Sequence, residues 1–128
     1  MTPRLMVVDS ERVIADTLAI ILRSRGYDCT VAYTGVHALQ IARQLRPDLI
    51  LMEVVMPGMH GTEAGRIILD EQPECKIVFL VSSSSSEALL EELKQHGYTF
   101  GTLVMPAPPQ DILKMVCELG FEPPITPP

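Results

Sequence analysis

Two acids each close a short apolar run: Asp9 follows Leu5-Met6-Val7-Val8, and Glu53 follows Leu49-Ile50-Leu51-Met52. Apolar runs of this length read as buried strands, and each delivers one carboxylate at its carboxyl end. Two further runs, residues 76–81 and 101–105, stop instead at Val81 and Met105. In an open parallel sheet, ligands bind beyond the carboxyl ends of the strands, where the strand order reverses. Asp9, Glu53, Val81 and Met105 are therefore the residues from which a site is expected.

Other chemistry is sparse. His37, His60 and His96 are isolated, with no ligand partner at metal spacing, and read as surface residues on turns and a helix start. The chain contains no catalytic triad and no Gly-rich phosphate loop; Gly58 and Gly61 read as turn glycines. Cys29, Cys75 and Cys117 form no close pair, and their odd number leaves no complete disulfide framework, so they are expected as reduced, buried thiols.

The elements that must position these residues alternate. Strands are expected over residues 4–9, 28–32, 48–53, 76–81 and 101–105. Apolar positions recur at helical spacing between them, as in Ile14, Leu18, Ile21 and Leu22. Gly26 and Gly97 stop helices, and Pro47 ends another. Ser84 stands three residues before Glu87, the spacing of a capping box, and the five-serine run 82–86 reads as a loop supplying that helix cap. Five strand–helix units in alternation imply a parallel sheet with helices on both faces, a three-layer α/β/α architecture. Residues 1–121 form one domain, and the Pro-rich residues 122–128 are expected as an extended tail.

Composition narrows the function. Of 128 residues nearly half are apolar, enough for a real core in one domain. The formal charge of -6, with only ten scattered Lys and Arg, argues against a nucleic-acid surface. No apolar run approaches a membrane span and no signal-peptide core opens the chain, so a cytoplasmic protein without membrane contact is expected.

Asp48-Leu49-Ile50-Leu51-Met52-Glu53 followed by Met56-Pro57-Gly58-Met59-His60-Gly61 resembles the core of the response-regulator receiver domain of two-component (phosphorelay) signalling. Val7-Val8-Asp9-Ser10-Glu11 is similar to that family's acidic entry, Thr34-Gly35-Val36-His37-Ala38-Leu39 to its second helix start, and Leu103-Val104-Met105-Pro106 to its apolar-apolar-Lys-Pro ending. The resemblance covers the whole chain up to the tail. It implies a flavodoxin-like (βα)5 fold, a doubly wound parallel five-stranded sheet, and a cis bond before Pro106.

The same resemblance implies a set of roles. The family uses two acids after strand one to hold magnesium, an aspartate after strand three as metal ligand and phosphoacceptor, a Ser or Thr after strand four, and a Lys after strand five. Asp9 matches the first acid. Ser10 replaces the second, Glu53 the phosphoacceptor, Val81 the hydroxyl residue and Met105 the lysine, while Thr102 occupies the place of the switch aromatic. The extra methylene of Glu53 displaces its carboxylate by roughly a bond length and a half, which in-line phosphoryl transfer tolerates poorly. The expectation is a degenerate, pseudo-receiver module. It needs no cofactor, has no enzymatic activity and works by contact with signalling proteins, either a histidine kinase or an output protein. A homodimer through the fourth helix, fifth strand and fifth helix is also implied, with Leu103, Pro108 and Pro109 making that face apolar. The alternative is a phosphoacceptor switch that retains weak magnesium binding through Asp9, Glu53 and the carbonyl of Val55.

Overall fold

A computed structural model describes residues 2–82 and 84–125; Ser83 of the serine run and residues 126–128 of the tail lie outside the described residues. Five strands, β1 (Arg4–Val8), β2 (Asp28–Ala32), β3 (Leu49–Glu53), β4 (Lys76–Val81) and β5 (Gly101–Val104), alternate with five helices. The helices are α1 (Arg12–Arg23), α2 (Gly35–Leu45), α3 (Gly61–Glu71), α4 (Ser86–Gln95) and α5 (Pro109–Glu118). The sheet is parallel throughout, in the order β2-β1-β3-β4-β5. The order reverses between β1 and β3, so the expected site lies beyond these two strands.

Strand parity divides the core. Met6, Val8, Ile50 and Met52 point to one face, where they pack against Ala38, Ala64, Ile68 and Leu93 of α2, α3 and α4. Leu5, Val7, Leu49 and Leu51 point to the other, against Leu18, Leu22, Ile112 and Val116 of α1 and α5. Both faces of β1 and β3 are thus covered, which is why these strands are continuous apolar runs. A fully buried Leu or Ile contributes about 1.5–3 kcal/mol relative to exposure. No helix among the described residues is long and apolar enough to cross a membrane.

Local chemistry explains most boundaries. Thr34 caps α2 by accepting the His37 N–H at 3.0 Å. Pro109 occupies the first position of α5, where a missing N–H costs nothing. Gly26 and Gly97 close α1 and α4 with φ of +85° and +87°. The Met105–Pro106 bond is cis, as expected.

Several expectations are corrected. The fifth strand ends at Val104 rather than Met105. Helix α4 starts at Ser86 with Ser85 as its N-cap, and the Ser84 carbonyl accepts the Glu87 N–H at 3.3 Å. A capping arrangement occurs instead at α3, where Glu63 Oε1 accepts the His60 N–H at 3.4 Å. His60 is not a plain surface residue: it is half-buried, and its Nδ1 accepts the Met56 N–H at 3.4 Å. Leu103 packs inward on the α1–α5 side, and the strand's exposed apolar residue is its neighbour Val104, at 73 %. Of the three thiols Cys29 and Cys75 are buried, while Cys117 is only half-buried.

Candidate functional site

The parallel register brings the ends of β1 and β3 side by side, with Val8 opposite Met52. One residue further on, Asp9 donates its N–H to the Ala32 carbonyl at 3.2 Å, which continues the β1–β2 ladder and fixes its backbone. Its side chain is only 3 % exposed, and one carboxylate oxygen accepts the Glu11 N–H at 2.9 Å. Burial pushes this carboxyl up from 3.8 to about 6. The Glu11 N–H opposes the shift, and the charge and hydrogen bonding of nearby Glu53 add to it.

Glu53 is half-buried, and its carboxylate reaches across to the β1–α1 loop. There Oε1 accepts two hydrogen bonds from one residue, the Ser10 hydroxyl at 2.6 Å and the Ser10 N–H at 3.1 Å. The backbone below Glu53 is held by a close approach. Gly61 donates its N–H to Val54 at 2.7 Å, and a Cβ on Gly61 would lie 1.9 Å from the Glu53 carbonyl oxygen. Gly61 is therefore a packing requirement of the site as well as a turn residue. Gly35 stands under a similar constraint, because its Cβ would meet the Met59 carbonyl at 2.8 Å.

The other expected positions are placed as follows. Val81 is half-buried, and its carbonyl accepts the Met105 N–H at 2.9 Å, joining the ends of β4 and β5. Ser82, the next residue, is exposed. Met105 is half-buried and packs against the α1–α5 core, so an apolar thioether occupies the end of β5. Thr102 is exposed and lines a groove between α4 and β5 with Glu87, Leu90 and Phe100. Val55 lies two residues beyond Glu53 with its side chain exposed. The structure thus gathers Asp9, Ser10 and Glu53 into one bonded cluster, while Thr102 belongs to the outer groove. Among the described residues, no group of three or more His, Cys, Asp and Glu side chains is placed to hold a metal ion.

The family model of the response regulator receiver domain matches residues 5–117, which span every strand and nearly all of α5. The chain belongs to the response regulator receiver domain family. Receivers are signalling modules, and the sheet order seen here fits that assignment. A receiver domain from Methanospirillum hungatei superposes with a TM-score of 0.81 over 93 % of this chain and 94 % of its own, at 23 % identity. Chemotaxis response regulator CheY4 of Vibrio cholerae gives 0.80 over 93 % and 99 %, at 28 % identity. Among curated relatives, DNA-binding response regulator MtrA of Mycobacterium tuberculosis is 41 % identical over 68 residues, 53 % of this chain and 30 % of MtrA. The probable transcriptional regulatory protein TcrX of the same organism is 30 % identical over 97 residues, 76 % of this chain and 42 % of TcrX. The receiver chain therefore spans less than half the length of either relative.

Proposed function

We propose that this chain is a pseudo-receiver: a two-component signalling module that works by protein contact and does not take a phosphoryl group at Glu53. The observation that carries this reading is the paired hydrogen bond from Ser10 to Glu53 Oε1. A nucleophilic carboxylate must present a free oxygen in line with the leaving group. Here one of the two oxygens, Oε1, is taken up in tying the β1–α1 loop to the end of β3, and the carboxylate is held toward Ser10 on a side chain one methylene longer than the family's aspartate. The donor set also suits magnesium poorly. Ser10 supplies a neutral hydroxyl that already donates to Glu53, and Met105 brings no cation to pair with a phosphoryl oxygen.

Contact with partners is supported by the outer face of α4, β5 and α5, where Thr102, Val104, Pro108 and Pro109 are all exposed. A histidine kinase, an output protein or a second copy of the chain is the class of partner proposed. The acidic balance of -6 argues that this segment makes no nucleic-acid contact, whatever adjoins it.

The reading is tested by incubating the protein with magnesium and acetyl phosphate and measuring intact mass. No phosphoryl adduct is expected. An adduct that disappears in Glu53→Gln would instead establish the phosphoacceptor switch with weak magnesium binding.

A further inference from the structure

Beyond α5 the chain does not leave the domain. Gly120, with φ of +99°, ends the helix, and the chain then turns across the amino-terminal end of the sheet, opposite the candidate site. It is held at three places. The Phe121 carbonyl accepts the hydroxyl of Tyr27, a side chain only 3 % exposed. The Phe121 ring lies 5.5 Å from Lys76 Nζ, which itself donates to the Leu119 carbonyl at 2.8 Å. Finally, the Ile125 N–H donates to the Arg25 carbonyl at 2.9 Å, and Pro124 and Ile125 sit on Gly26 so closely that a Cβ there would meet them at 3.1 and 3.0 Å.

We propose that residues 121–125 are a strap belonging to the fold, which ties the end of α5 to the α1–β2 turn and keeps α5 in its seat. Two features give such a strap a purpose. Helix α5 buries only Ile112 and Val116 completely, and it lies beside β5, whose residues are alternately half-buried and exposed. An element so thinly packed lies toward the low-stability end of the molecule unless its end is anchored. Tyr27, in turn, needs an acceptor for a hydroxyl at the end of a buried ring, and the strap backbone supplies it. This end of the sheet is remote from Glu53, and the strap is independent of whether Glu53 is phosphorylated.

Two measurements on the full chain test it. In amide hydrogen exchange the Ile125 N–H is expected to exchange at least about tenfold more slowly than in an unstructured peptide, and Tyr27→Phe is expected to reduce that protection. Exchange of Ile125 at the free-peptide rate would overturn the proposal. The second uses paired glycines. Gly26 and Gly97 have nearly the same φ, but nothing lies within 4 Å of a Cβ at Gly97. Gly97→Ala therefore reports backbone strain alone, whereas Gly26→Ala reports strain plus the strap contact. A larger loss of Tm is expected for Gly26→Ala, and Ile125→Gly in the same chain is expected to narrow the difference. Equal losses at the two glycines contradict a docked strap.

Discussion

Ser10 and Asp9 handle the acidity of the strand-end cluster in opposite ways. Ser10 gives Glu53 two donors on one oxygen, and hydrogen bonds to charged groups contribute about 1.5–3 kcal/mol net. Because the bond is only part-buried, Ser10→Ala is expected to destabilise by about 1–2 kcal/mol in denaturant unfolding. Asp9 receives too little compensation, so its carboxyl is held near 6. Over the window between about 4 and about 6 the folded state holds a proton that the unfolded state has released. Stability therefore falls as pH rises through that window and levels off above it. Asp9→Asn, which carries no charge to bury, is expected to be more stable than the parent at neutral pH and to flatten the profile. A profile for Asp9→Asn that parallels the parent would sink this assignment. The cluster was half legible in the sequence: the acids stand at the ends of apolar runs, but the bond to Ser10 depends on the reach of the longer Glu53 side chain from β3 to the β1–α1 loop, which no local pattern encodes.

At the scale of elements, the α3 entry is the most sensitive point, because Gly61 lies directly against the Glu53 carbonyl. That neighbour is backbone and cannot move aside. Gly61→Ala is expected to destabilise severely, by at least about 3 kcal/mol or to the point of not folding, as overpacking at a rigid contact does. Gly65→Ala, whose Cβ would meet the tip of the Phe79 ring at 2.9 Å, is expected to cost less because a side-chain end can shift. Thermal unfolding of the pair checks the ranking, and equal effects would contradict it. Strand and helix order were legible because glycine and proline punctuate the chain and the apolar period changes between elements. Leu103 and Val104 were not, since on a short edge strand a one-residue change of parity exchanges inside for outside, and β5 carries too little alternation to reveal which face is buried. Similarly, α4 starts later than the Ser84–Glu87 spacing suggested, because several adjacent serines satisfy the same local pattern.

For the molecule as a whole, the family and the doubly wound fold it implies were legible in motifs running the length of the chain, whereas the packing of residues 121–125 onto Gly26 joins sites about a hundred residues apart and has no local signature. The core also protects its thiols. Burial pushes Cys29 up to about 11 and Cys75 up to about 12, so native protein at pH 8 is expected to label first at the half-buried Cys117, with the other two reacting only on unfolding. Rapid native labelling of Cys75 would show that the α3–β4 region opens readily. On the outer face, Val104→Glu is expected to weaken any association of the domain while leaving its unfolding transition within about 0.5 kcal/mol of the parent. Sedimentation velocity over a range of concentrations checks this against the parent chain. The most direct test of the pseudo-receiver reading is an amide NMR titration with magnesium followed by beryllofluoride, a stable stand-in for the phosphoryl group. Resonances of Asp9, Ser10, Glu53 and Met105 are expected to stay in place, because Glu53 is already bonded to Ser10; saturable shifts at those residues would show a working phosphoryl site and contradict it.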